Sequence, residues 1–516
     1  MADSDSTTSR RTQSSKTGGT VRKPVLVFGA SGYIGRHLVP ALLAEGHKVR
    51  AAARRMAPLE AEGWDGVELV QADAHDPDTL PKALNGVSTA YFLVHSMADG
   101  ADFPERERRA AAAFAEAAEK AEVERIVYLG GLAPKEAAST HLASRVATGE
   151  ELRRGPVPVS ELRAPVIVGP GSVAFEVMRD LAAYLPIMVT PKWVRAKSPP
   201  VALDDLLGDL VALPERTPAD NAIYETGGPE QLTYERMLRI IARELGRPEP
   251  VIIPVPFMSP ELSSYWLAFV SATPTDVARA LIGGLKHDLS ADDRVLRQRI
   301  PRDPLPFDEA TRRAFEREKE FVAHDRWREG AFNLRGHRHD IGYYAKKMSR
   351  SAVTKVDAET LWRTLSDMGT REAGYFFLSS LWEVRKTVDR LLGGRPAGRR
   401  RPGRDPEPGE RFDMWEVLAS ERPKRLTLKI NAVVPGRGGL EFEIDETPEG
   451  HSRLTATMYW HPAGAPGLLY WYKLGPPHAL LLQGMAARIC QRAEAGRKAG
   501  ERPARPGLRP RPRPQR

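Results

Sequence analysis

Three glycines in the segment GASGYIG, Gly29, Gly32 and Gly35, follow an apolar run and precede a helical pattern. A pyrophosphate needs that context. The first glycine permits a tight turn off a strand, the second lets the backbone approach the phosphates, and the third lets the helix pack close to the sheet. The start of the helix then offers free N–H groups and the positive end of its dipole. Ser31, Tyr33 and Ile34 complete the loop and are expected to share the nucleotide contact. Discrimination between dinucleotides is read at the end of the next strand, where an acid would accept the ribose 2′-hydroxyl. Here the chain has Ala53-Arg54-Arg55. Two guanidiniums suit a 2′-phosphate, so NADP(H) is favoured over NAD(H). Asp73 and Ala74, just past the third strand, are expected at the adenine.

The elements that must position this loop follow from hydropathy. Up to about residue 170, short apolar runs (PVLVFGA, HKVRAAARR, GVELVQAD, STAYFLVHSM, ERIVYLGGL, VPVSELRAPVIVG) alternate with helical patterns. That alternation predicts an α/β Rossmann-like parallel sheet covered on both faces. From 171 to 325 prolines are frequent, LTYERMLRIIARELG and the region from Phe315 to Arg328 read as helices, and a helical substrate lobe is expected. From about 340 a strand, a helix capped by Asp357, further strands and a final helix in PPHALLLQGMAARICQRAEA predict an α+β unit: an antiparallel sheet wrapped around a helix. The expected divisions are a disordered tail at 1–22, a dinucleotide-binding domain at 23–325, the α+β domain at 340–492 and a disordered basic tail at 493–516.

Composition narrows the function classes. The chain has 516 residues, 41 % hydrophobic and 28 % charged, ordinary for a globular protein. Residues 1–23 carry a net charge of +3 and residues 491–516 one of +7, so the +9 total leaves the remainder at −1. The basic character thus belongs to the tails, and no specific nucleic-acid contact is expected of the core. One cysteine, Cys490, excludes an intrachain disulfide and fits a reducing, cytoplasmic location. Neither a signal peptide nor a transmembrane run is read, which leaves peripheral membrane contact open. His337, His339 and Asp340 lie close together, but no further ligand is spaced to complete a metal site.

GASGYIG, Arg54, the Asp73 segment and RIVYLGGL resemble the extended and atypical short-chain dehydrogenase/reductase superfamily, in its NmrA-like branch. The chain is also similar to the NADPH-binding accessory subunit of respiratory complex I. GYFFLSSLWEVRKTVDRLLGG, FDMWEV and LLYWYKLGPPH resemble a domain of unknown function fused to this fold in bacteria, itself similar to START/polyketide-cyclase helix-grip folds with an apolar cavity. The resemblance implies that Val94, His95 and Ser96, ending the fourth strand, line the cofactor site. Members of the superfamily use a Tyr-x-x-x-Lys pair and an upstream serine. Here His141 stands at the tyrosine position, Arg145 at the lysine position, and Leu129-Gly130-Gly131 ends the strand without a serine. The remaining catalytic candidates are His141, an imidazole that titrates near neutrality, and Arg145, a fixed cation.

Trp362, Trp382, Trp415, Trp460 and Trp471 fall in the C-terminal domain with Tyr470 and Tyr472. They serve either as core or as the wall of an apolar cavity, with Arg385 and His478 as polar handles. Two functions follow. One is an NADP(H)-dependent oxidoreductase acting on or carrying a quinone-, isoprenoid- or polyketide-like substrate. The other is a non-catalytic NADP(H)-binding redox sensor or assembly factor with a protein partner.

Overall fold

The computed structural model describes residues 23–60, 62–94, 103–133, 140–255, 287–321, 345–447 and 449–500. Seven strands, β1 (Val25–Phe28), β2 (Val49–Ala53), β3 (Glu68–Gln71), β4 (Thr89–Phe92), β5 (Arg125–Gly131), β6 (Val159–Ala164) and β7 (Ala222–Glu225), form one sheet. Their order is β7-β6-β5-β4-β1-β2-β3, and every neighbouring pair is parallel. Alternate residues of each strand feed two cores. Val25, Val27, Tyr91, Val127 and Leu129 pack with α1 (Tyr33–Ala44) and α5 (Leu203–Arg216). Leu26, Phe28, Phe92, Ile126 and Tyr128 pack on the other face with Ala110, Ala111 and Phe114 of α2 (Phe103–Lys120). Strand order reverses between β1 and β4, and ligands of such sheets sit at the carboxyl ends of the strands at that point.

The sequence reading stopped the sheet at six strands. β7 was missed because AIYE is too short to carry a period, and its partner β6 lies some sixty residues earlier. VPVSELRAPVIVG, read as one strand, is two: β6 and the pair Ile167–Val168, which turns away to meet Val201–Ala202. The lobe is built from α4 (Val173–Tyr184), α6 (Tyr234–Glu244) and α7 (Phe307–Phe321), around Phe175, Met178, Met237, Ile241 and Phe307. α7 thus begins well before Phe315. Its buried Glu318 accepts from Arg179 at 2.8 Å, since a charge this deep is tolerable only when paired.

The C-terminal unit is a six-stranded sheet of β8 (Lys346–Thr354), β9 (Arg411–Phe412), β10 (Trp415–Glu421), β11 (Arg425–Ile430), β12 (Gly436–Glu446) and β13 (Ser452–Pro462). Its order is β8-β13-β12-β11-β10-β9, antiparallel throughout. α8 (Ala358–Ser366) is capped as expected: Asp357 accepts from the Thr360 N–H at 2.8 Å. α9 (Ser379–Leu391) follows, and α10 (Gly464–Gly500) closes the chain. Met485, Ala486, Ile489 and Ala493 of α10 join Leu428, Phe442, Leu454, Ala456 and Trp460 of the strands in one core.

α10 differs from the sequence reading at both ends. It starts at Gly464 and runs through Pro476 and Pro477. Each proline removes an N–H that would serve the carbonyl four residues earlier. Those carbonyls belong to Tyr472 and Lys473, both exposed residues. The helix also continues to Gly500, past the expected boundary at 492. The two units meet where Tyr184 Oη of α4 donates to the Pro462 carbonyl at 2.8 Å. No helix among the described residues is long and apolar enough to cross a membrane. The tail 1–22 and the His337–Asp340 cluster lie outside the described residues, as do residues 501–516.

Candidate cofactor groove and apolar cavity

The glycine loop is tight for steric reasons. Gly29 holds φ +93°, and a Cβ there would stand 3.1 Å from the Leu93 carbonyl. A Cβ on Gly35 would stand 2.5 Å from the Gly29 oxygen and 2.6 Å from Ala30 Cα. Helix α1 can therefore approach β1 this closely only with glycine at 35. Gly32 is the N-cap of α1 and makes no side-chain cap, and the first turn holds no acid. Its N–H groups and dipole are left to an anion.

Above that turn lies a cavity of about 170 Å³ lined by Gly29, Ser31, Gly32, Arg54, Asp73, Ala74 and Val94, together with Phe28, Ala53, Ala72, His75 and Leu93. The loop, the second-strand arginine and the third-strand acid thus meet in one groove. Asp73 is fixed on both sides: its N–H donates to Thr79 Oγ1 at 2.9 Å, and its Oδ1 accepts from the His75 N–H at 3.0 Å. Tyr33 and Ile34 turn instead toward the core beneath. Arg55 is exposed and absent from the lining. It acts electrostatically on Glu443 of β12, whose carboxyl is raised by burial and by Asp445 and drawn back by Arg425 and Arg55. His95 and Ser96 fall outside the described residues. Phe28, Ala53, Ala72, His75 and Leu93 were missed by sequence reasoning; each is the immediate chain neighbour of a residue that was found, at a strand end where the backbone itself lines the groove.

The candidate catalytic residues lie apart from this lining. Both sit on α3 (Thr140–Arg153), His141 in its first turn and Arg145 one turn on. The Arg145 guanidinium donates to the Leu129 carbonyl at the end of β5. It also lies 5.2 Å over the ring of Tyr128, whose hydroxyl donates back to the Arg145 carbonyl at 2.9 Å. Tyr128 is fully buried, and burial pushes its hydroxyl up to about 12. It is a strut rather than an acid.

A second cavity, of about 370 Å³, opens between α9, α10 and the C-terminal sheet. Its wall is apolar: Trp382, Met414, Trp415, Met458, Leu482 and Met485 among others, with Tyr470, Arg385 and His478. Two of the five tryptophans thus line it, while Trp362, Trp460 and Trp471 fill the core. Tyr375, Trp382 and Trp415 form an aromatic run with centroids 4.6 and 6.1 Å apart. His478 lies 6.0 Å from the Tyr470 ring, and burial pushes its imidazole down to about 4. It is neutral at pH 7. Trp382 Nε1, Trp415 Nε1 and His478 Nδ1 are buried without a hydrogen-bond partner among the described residues. No cluster fit for a metal ion occurs among those residues.

Comparison with known proteins agrees with the groove. Residues 29–150 match the NAD(P)H-binding family, and residues 343–485 match a protein family of unknown function, DUF2867. The curated relatives include ceramide reductase of Caulobacter vibrioides, 31 % identical over 173 residues, which are 32 % of this chain and 53 % of that protein. Sterol demethylase protein B of Methylococcus capsulatus is 44 % identical over 66 residues, 13 % of this chain and 20 % of that protein. The chain thus spans about half or less of these relatives. Among solved structures, triphenylmethane reductase of Citrobacter sp. with NADP(H) is 21 % identical, covering 56 % of this chain and 99 % of that one at a TM-score of 0.47. An Escherichia coli NADPH-dependent quinone oxidoreductase with NADPH is 18 % identical, with the same coverages and TM-score. Residues 29–150 thus match an NAD(P)H-binding family, and the seven-stranded parallel sheet that carries them is Rossmann-like.

Proposed function

We propose that the chain is an NADP(H)-dependent oxidoreductase acting on an apolar, quinone-, isoprenoid- or polyketide-like substrate held by the C-terminal cavity. The observation that carries this reading is the union in one chain of a dinucleotide groove with Arg54 in its wall and an apolar cavity of about 370 Å³. A ceramide and a sterol in the names of two relatives support a lipid-like substrate. In the same proposal, 23–325 and 340–492 are separate domains, and α10 across the antiparallel sheet is a START-like helix grip. The single cysteine, buried in the C-terminal core, fits a cytoplasmic setting.

Each residue has a stated task. The N–H groups of α1 take the pyrophosphate, Arg54 the 2′-phosphate and Asp73 the adenine edge. Leu93 and Val94 keep water from the inner end of the groove. When bound there, NADPH would supply the hydride, and the imidazole of His141 would deliver the proton to the reduced substrate. NADPH oxidation followed at 340 nm across a panel of apolar quinones and carbonyls tests this, with loss of turnover expected in His141→Phe. Failure across the panel removes the catalytic reading.

The commitment of Arg145 to Leu129 favours the second reading, a non-catalytic NADP(H) sensor or assembly factor with a protein partner. There the cofactor stabilises the fold by mass action, about 2.7 kcal/mol at a hundredfold excess over Kd. A partner captured only in the presence of NADPH, without turnover, distinguishes it.

A further inference from the structure

Helix α9 is turned inside out. An ordinary surface helix hides its apolar stripe and shows its polar one. In α9 the anchored side includes charged groups: Lys386 Nζ reaches Asp413 Oδ1 at 2.5 Å, Asp389 Oδ1 accepts from the Val433 N–H at 2.7 Å, and the Trp382 ring lies tilted against Tyr375. Lys386 and Asp389 are buried. The outward stripe is Leu381, Val384, Val388 and Leu391, at helical spacing and 44, 60, 42 and 82 % exposed. Leu392 continues it at 57 %. Leu381, Val384 and Val388 also line the apolar cavity, so the stripe is the cavity's lip. Leu480 of α10, 58 % exposed, adds apolar surface beside the lining residue Leu481 on the other wall.

The segment that follows is basic. Residues 393–404 hold Arg395, Arg399, Arg400, Arg401 and Arg404 and no acid. Arg400 is buried against the Ser366 and Met368 carbonyls, and Arg399 pairs with Glu383. Arg395, Arg401 and Arg404 are left exposed.

We propose that α9 and the 393–404 loop dock this chain on an anionic membrane surface, with the apolar stripe entering the headgroup boundary and the cavity mouth facing the lipid. Apolar burial and attraction to anionic lipid are the two components such a face supplies. A second copy is the poorer occupant. A two-fold contact sets the same patch against itself, which would cover the apolar stripe but bring no acidic surface of the patch to Arg395, Arg401 and Arg404. This docking goes beyond the oxidoreductase reading, and its test uses no turnover, so either can fail without the other.

The test is flotation of the full chain with vesicles of phosphatidylcholine alone and with added phosphatidylglycerol. The wild type is expected to float with the anionic vesicles and to be released by high salt. Leu391→Asp with Leu392→Asp should weaken binding at least tenfold, as should Arg395→Glu with Arg401→Glu and Arg404→Glu. NADPH affinity and the circular dichroism spectrum, with its thermal transitions, should be unchanged in both variants, which shows that both units fold. The proposal is overturned if the wild type does not float. It is also overturned if Leu391→Asp with Leu392→Asp floats like the wild type, since the basic tails then suffice. A dimer in sedimentation velocity that Leu391→Asp dissolves would assign the face to a second copy and likewise overturn it.

Discussion

The guanidinium of Arg145 is bonded to the main-chain carbonyl of Leu129, near the end of strand β5. It is further held 5.2 Å over Tyr128. Its charge is therefore spent on the fold. Arg145→Met should cost about 1–3 kcal/mol of stability, the usual price of a lost charged hydrogen bond and its orphaned carbonyl. NADPH affinity should change by less than about threefold, since one unit of 1.4 kcal/mol already means tenfold. Chemical denaturation and NADPH titration of the variant measure both. A large loss of affinity with normal stability would place Arg145 in contact with the cofactor instead.

Gly35 can be tested by a single methyl. With a Cβ 2.5 Å from the Gly29 oxygen, Gly35→Ala must move α1 away from β1. We expect a loss of about 1–3 kcal/mol in stability, as for other overpacked sites, and at least a tenfold loss in NADPH affinity. Calorimetric titration beside thermal melting separates the two effects.

Arg54 lines the groove and Arg55 does not. Arg54→Glu should therefore weaken NADPH at least tenfold while leaving NADH equal or tighter, because an acid there accepts the 2′-hydroxyl. Arg55→Glu should change the NADPH to NADH ratio far less. Equal effects at both positions would contradict the assignment.

His478 gives an acid-side signature. Burial holds its imidazole at about 4, below the ordinary 6.5. Between those values the unfolded chain takes up a proton that the folded chain refuses, so stability falls as pH drops through that window. His478→Phe removes the titrating group. The stability difference between pH 7 and pH 4.5 should be smaller in the variant than in the wild type, as read by urea denaturation at the two pH values.

What could be read from sequence was what local sterics dictate. Gly29, Gly32 and Gly35 obey the turn and the close helix approach, and a chain of residues alone shows that spacing. Asp73 was legible because it follows a strand, whereas Thr79, which fixes it, signals nothing by itself. β7 was not legible: its place is set by pairing with a distant strand. The composition of the C-terminal domain offered five tryptophans as core or as cavity wall, with Arg385 and His478 as handles, but did not single out Trp382 and Trp415 as the two that line the cavity. The orientation of α9 was hidden because its stripe has ordinary helical spacing. The Lys386–Asp413 and Asp389–Val433 contacts show that the polar side faces inward.

The most direct test is a single-turnover measurement on the full chain loaded with NADPH and mixed with a long-chain quinone. The account predicts a decay at 340 nm that slows at least tenfold when Trp382→Ala and Met458→Ala reshape the cavity, while NADPH affinity is unchanged. NADPH that stays reduced with every apolar quinone and carbonyl offered, or a decay indifferent to the cavity variants, would contradict it.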